Sequence, residues 1–188
     1  MVSVNVIKGQ RLDLTKGNPG LKTLKVGLGW DVNEVSGVSF DLDAFCFGID
    51  STGKLTDMAN VCYFNQLSIL NGAVSHSGDN LTGAGSGDDE TIVVNLSAIP
   101  QTIDKLIIAV NIYDASNKRQ NFGMVRNAFC RCYDAETGSE ILKYDLGEEY
   151  SVFEGVVFGE LYRNNGEWKF AAISNGFNGD LNDLLTKY

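Results

Sequence analysis

The 188-residue chain carries 24 acidic and 15 basic side chains, a net charge of −9 and 44% hydrophobic residues. That apolar content is enough for one domain-sized core. The acidic balance argues against non-specific nucleic-acid binding, which needs a basic patch to release counterions, and against adhesion to anionic membrane.

With 21 glycines against 2 prolines, glycine is the main turn-former, and the segments between turns read mostly as strands. Val2, Val4 and Val6 alternate with Ser3 and Asn5, a period of two. Arg11 to Thr15 suggests a short second strand, closed by the turn Lys16-Gly17-Asn18-Pro19-Gly20. Thr23 to Trp30 is the next, ending in Gly27-Leu28-Gly29-Trp30-Asp31. A polar loop from Val32 to Ser39 leads into a strand over Phe40 to Ile49. Val61 to Asn65 reads as a short apolar strand, and an acidic loop follows Val74. Thr91 to Leu96 places Ile92, Val94 and Leu96 on one face. Ala98 to Asp104 predicts a helical turn, Lys105 to Tyr113 a buried strand, and Asp114 to Asn121 a short helix. Ala128 to Tyr133, Glu140 to Leu146 and Val156 to Arg163 are further strands. Asn164-Asn165-Gly166 is a hairpin turn into Trp168 to Ile173. At the end, Leu181, Leu184, Leu185 and Tyr188 share one helical face, with Asn178 or Asp180 as the cap. The pattern predicts an all-β sandwich with a short C-terminal helix.

Two segments concentrate negative charge. Between Gly78 and Glu90, Asp79, Asp88, Asp89 and Glu90 share a loop with four glycines, and no Lys or Arg occurs between Lys54 and Lys105. Carboxylates packed this way repel one another, and a hard divalent cation relieves that conflict, since Ca²⁺ takes six to eight oxygens. A solvated acidic turn is the bland alternative. In Phe40-Asp41-Leu42-Asp43-Ala44, the two aspartates point the same way on a strand, roughly 6–7 Å apart. Phe45 and Phe47 continue their face, so it turns from polar to apolar.

Known cation motifs do not account for these residues. Asp79 to Glu90 has the length of an EF-hand loop, but Leu81, Gly83 and Ala84 stand where ligands and the obligatory glycine belong. Gly83 to Asp88 resembles a single β-roll unit without its repeats. No P-loop or dinucleotide fingerprint is present. His76 is the only histidine; beside an acidic loop it suits hydrogen bonding better than catalysis, and there is no Gly-x-Ser-x-Gly elbow. Cys46, Cys62, Cys130 and Cys132 lack C-x-x-C spacing and read as structural thiols. Arg119, Arg126 and Arg131 suit surface salt bridges better than a shared anion. The N-terminus shows no charged-then-apolar secretory pattern, so the expected location is cytoplasmic, and the apolar runs are too short for membrane insertion.

Several motifs, in order along nearly the whole chain, resemble the TerD family of tellurium-resistance and bacterial stress proteins. They are Gly27-Leu28-Gly29-Trp30-Asp31, Phe40-Asp41-Leu42-Asp43-Ala44, His76 to Glu90, Arg119-Gln120-Asn121-Phe122-Gly123, Tyr144-Asp145-Leu146, and Phe158-Gly159-Glu160-Leu161-Tyr162 through Trp168-Lys169-Phe170. The resemblance implies a single TerD-like domain over residues 1–188, a cytoplasmic β-sandwich of two mainly antiparallel sheets, and a stress-response protein rather than an enzyme. It implies about two calcium ions held by Asp31, Asp41, Asp43, Asp79, Asp88, Asp89 and Glu90, with Asn80 and the Gly83 carbonyl as further donors. The segment Asp50 to Asn60 and the cysteines look individual to this chain. The cyclic-AMP-binding description given to some relatives does not transfer, because no phosphate cradle is present. Two rival readings are an interaction module with structural calcium, meeting other stress-response or membrane-associated proteins, and a metal-dependent phosphoesterase, which would need an open coordination position.

Overall fold

The computed structural model describes residues 3–32, 39–84, 87–146 and 148–188. Val2, the middle of the polar loop after Val32, and Gly85 and Ser86 of the acidic loop lie outside the described residues.

The strands in chain order are β1 (Val4–Asn5), β2 (Arg11–Asp13), β3 (Thr23–Gly29), β4 (Leu42–Ile49), β5 (Val61–Cys62), β6 (Ser68–Ile69), β7 (Val74–His76), β8 (Glu90–Asn95), β9 (Lys105–Ile112), β10 (Phe129–Asp134), β11 (Glu140–Asp145), β12 (Gly155–Asn164) and β13 (Glu167–Phe177). Helices α1 (Ala115–Lys118) and α2 (Leu181–Leu185) are short. One sheet has seven strands in the order β1-β11-β10-β3-β8-β7-β6; the other has six, β2-β13-β12-β9-β4-β5. Every pairing between named strands is antiparallel except β1 with β11. The predicted two-sheet sandwich is therefore the fold.

Side-chain alternation explains the layers. On β4, Leu42, Ala44 and Cys46 face the main core between the sheets. Phe45, Phe47 and Ile49 face the other way, into a second cluster closed by Leu184 and Leu185 of α2. All eight residues of β4 are buried as a result. The helix starts at Asp180, whose side chain accepts the Asp183 N–H at 3.0 Å while the Asp183 carboxylate accepts the Asp180 N–H at 3.0 Å. This is a reciprocal cap of the first turn, so Asp180 rather than Asn178 is the capping residue. Tyr188, just past the helix, packs edge-on against Phe47 at 5.1 Å.

The structure corrects three local expectations. Ala98 to Asp104 forms no helix: Ala98 N–H bonds to Asn95 O and Ile103 N–H to Pro100 O, two separate turns divided by Pro100, which has no N–H to continue a helix. The strand at Val61 stops at Cys62, because the Tyr63–Gln66 bridge turns the chain back. Val74 to His76 belongs to a strand, paired with β8, rather than leading directly into a loop.

Candidate functional site

The acidic residues gather where the end of β3, the start of β4 and the loop between β7 and β8 meet. Donor oxygens from Asp41, Asp43 and Asp79 all lie within 4.8 Å of one another. Asp43 is only 3% exposed, and Asp41 Oδ1 is buried without a hydrogen-bond partner among the described residues. Burial is the first cause that pushes Asp43 up to about 8, followed by the neighbouring charges of Glu90, Asp41 and Asp79. Asp41 is also raised, by burial and then by Asp79. Lys118 opposes both shifts. Three carboxylates crowded together, one of them with an unpartnered buried oxygen, suit a hard cation better than protein hydrogen bonds.

Glu90 stands behind this cluster. It is fully buried. Its Oε2 accepts the Ala44 N–H at 2.8 Å and its Oε1 the Asn80 N–H at 3.2 Å. His76 Nε2 lies 3.5 Å from Glu90 Oε2 and 3.1 Å from the Ala44 carbonyl. Because His76 Nδ1 accepts the Gly78 N–H at 3.0 Å, a neutral ring carries its proton on Nε2, where it donates to that carbonyl or to Glu90. His76 thus orients the loop from behind the carboxylates, as its sequence position suggested.

Asp89 and Asp31 form a neighbouring acidic group. Asp89 Oδ2 accepts the Trp30 N–H at 3.0 Å and Oδ1 accepts Asn80 Nδ2 at 3.2 Å. Burial chiefly raises the Asp89 pKa, with further contributions from Asp88 and Asp31. The exposed Asp31 accepts from Asn127 Nδ2 at 2.6 Å. Asn80 knits the loop: its Oδ1 accepts the N–H groups of Thr82 and Gly83 at 3.2 and 3.1 Å. Gly83 has φ +68°, and a Cβ there would come 2.4 Å from the Trp30 indole nitrogen. Only glycine suits that contact and that backbone angle.

Asp88 is held elsewhere. Arg131 Nε donates to its Oδ1 at 2.6 Å and the Tyr133 hydroxyl to its Oδ2 at 2.9 Å, with the Asp88 side chain 6% exposed. The carboxylate lies over Gly27, where a Cβ would approach Asp88 Cγ to 2.2 Å. Burial, then the Asp88 hydrogen bond, pushes the Tyr133 hydroxyl up to about 12. The structure therefore unites Asp41, Asp43 and Asp79, backs them with Glu90, sets Asp89, Asn80 and Asp31 alongside, and diverts Asp88 to β10. The sequence suggested a salt bridge for Arg131 but not its partner Asp88, and passed over Tyr133 and Asn127, because the pairing of β3 with β10 that brings them close leaves no mark in local spacing.

Fold and site together define a two-sheet sandwich with an acidic rim where loops from both sheets converge. The chain matches the TerD domain model over residues 2–188 and belongs to that family. It is 50% identical over 188 residues to General stress protein 16U of Bacillus subtilis (strain 168), covering all of this chain and 97% of that protein. It is 43% identical over 187 residues to tellurium resistance protein TerD of Serratia marcescens, covering all of this chain and 97% of that one. Among solved structures, a homologue of telluride resistance protein (TerD) from Streptomyces coelicolor A3(2) superposes with a TM-score of 0.75 at 25% identity, covering 88% of this chain and 96% of that one. The family is thus one of tellurium-resistance and stress-response proteins. No helix among the described residues is long and apolar enough to cross a membrane.

Proposed function

We propose that this protein is a cytoplasmic, non-enzymatic stress-response protein of the tellurium-resistance type that works by binding calcium, about two ions per chain. The observation that carries the reading is the convergence of Asp41, Asp43 and Asp79 to within 4.8 Å, around a carboxylate that is almost wholly buried. Oxygen-only donors favour Ca²⁺ or Mg²⁺ over zinc or copper, which prefer nitrogen and sulfur. Loop carbonyls and several carboxylates at uneven spacing suit the larger and less geometrically demanding Ca²⁺. Asp41, Asp43 and Asp79 would hold one ion, with Glu90 behind them. Asp89, Asp31 and Asn80 are the donors available to a second. The bound cation supplies positive charge that cancels the repulsion among these acids, and binding stabilises the folded state by mass action.

Calorimetric titration of the metal-free chain tests this. It should return about two calcium ions and a melting temperature that rises with calcium. Absence of both heat and thermal shift would refute the proposal.

A further inference from the structure

Next to the acidic rim lies a recess of about 330 Å³ that the calcium reading leaves unused. Asn111, which pairs with Asp43 across the β4–β9 ladder, is among its lining residues. Asn111 is 4% exposed, and its Oδ1 is buried without a hydrogen-bond partner among the described residues. An acceptor kept in that state is costly unless a donor arrives from elsewhere. One wall is aromatic: Tyr63 meets Phe64 edge-on at 5.5 Å, and Phe64 meets Tyr113 edge-on at 6.2 Å. The charged residues in the lining are Asp43, Asp114 and Asp180, all acidic.

These features select a ligand. An anion would meet carboxylates and no cation in the lining. A purely apolar molecule would leave the Asn111 acceptor unpaired. A molecule with N–H donors, positive charge and an apolar body satisfies the Asn111 acceptor, the charge and the wall together. The chain already shows half of this chemistry at the rim. The Lys118 ammonium sits 5.1 Å from the Tyr113 ring centroid and donates to the Tyr113 carbonyl at 2.9 Å.

We infer that this recess binds a small primary amine carried on an apolar or aromatic body. The ammonium points to Asn111 Oδ1 and the flanking carboxylates, and the body lies against Tyr63, Phe64 and Tyr113. The inference goes beyond calcium binding and does not rest on it: Asn111, Asp114 and the aromatic residues lie outside the cation cluster, and only Asp43 is common to both.

The test is titration of the full chain with phenethylamine, followed by amide chemical shifts, in chelator and in saturating calcium. 3-Phenylpropanol and 3-phenylpropionate serve as neutral and anionic controls. The expected result is saturable amine binding in at least one of the two conditions, with shifts centred on Tyr63, Phe64 and Asn111. The alcohol should bind about tenfold more weakly and the acid more weakly still. Phe64→Ala, at a partly exposed position, should weaken the amine about tenfold without loss of the folded spectrum. Asn111→Leu should weaken the amine more than the alcohol. If Asn111→Leu fails to fold, Phe64→Ala and the ligand series still decide. No saturable amine binding in either condition, equal binding of the acid, or an unchanged affinity in Phe64→Ala would overturn the inference. Amine binding without calcium heat would remove the calcium proposal alone; calcium heat without amine binding would remove this one alone.

Discussion

Glu90, the first residue of β8 in the seven-stranded sheet, accepts the backbone N–H of Ala44 in β4 of the six-stranded sheet at 2.8 Å. A buried carboxylate thus ties the two layers together directly beneath the acidic cluster. Glu90→Ala leaves the N–H groups of Ala44 and Asn80 without their acceptor, at a cost of about 1–3 kcal/mol for a buried group left unpaired. It also removes a negative charge that raises the Asp43 pKa. Urea denaturation of the metal-free variant should show the loss, and NMR titration should find the Asp43 carboxyl below its wild-type value.

Asp43→Asn should separate stability from binding. Above about pH 8, where the Asp43 carboxyl is ionised, the change removes a buried negative charge from among three like charges, so metal-free stability should rise there. The same change removes a donor oxygen charge from the cluster, so calcium affinity should fall by about tenfold or more. A melting series in chelator and a calcium titration on the same preparation check the two opposite signs.

The pH dependence of the metal-free protein follows from the same residue. Asp43 is raised from 3.8 to about 8 on folding, so between those values the folded chain binds more proton than the unfolded one. The associated stability is fully present below the unfolded value and is lost as pH rises through the folded value, at up to about 1.4 kcal/mol per pH unit. In chelator, urea midpoints should therefore fall from about pH 6 to about pH 8. Calcium should flatten that slope, because the cation favours the ionised carboxylate.

Gly83→Ala should disturb the loop that carries Asp79 and Asn80. Its φ of +68° disfavours a side chain, and the new methyl would meet the Trp30 indole. A loss of about 1–3 kcal/mol is expected for a strained backbone position. Trp30 fluorescence should shift with it, since the indole must move away from Phe40 O, to which it donates at 3.2 Å.

Arg131→Ala should expose the division between Asp88 and the other acids. Asp88 would lose its charge partner while Tyr133 continued to donate. Arg131 is 31% exposed, so the expected cost is about 1–2 kcal/mol, below that of breaking a fully buried pair. Calcium stoichiometry should be unchanged, and Asp88→Asn should lower affinity less than Asp43→Asn does. Paired calorimetric titrations check both statements.

The sequence revealed strand periodicity better than strand contacts. Val94 and Ile92 could be assigned to one face, and Phe45 and Phe47 to the face opposite Ala44, because alternation is local. β6 and β7 escaped notice because they are very short and joined through Leu70 and Asn71, both at positive φ. At the site, the shared face of Asp41 and Asp43 was legible from parity alone, whereas their meeting with Asp79 was implied only by the family resemblance. What escaped was register. Arg131 reaches Asp88 because Arg131 opposes Gly27 between β10 and β3, and Asn111 meets Asp43 because β9 pairs with β4 in one alignment out of several available. Such pairings are set by the whole sheet and leave no mark in the local residue pattern.

Asp41 and Asp43 belong to the segment that enters the six-stranded sheet, whereas Asp79 hangs from a connection within the seven-stranded one. A cation gripped by all three would act as a rivet across the mouth of the sandwich. The layers could then part only after the rivet was drawn, so the lifetime of the native chain against proteases would track the supply of free cation.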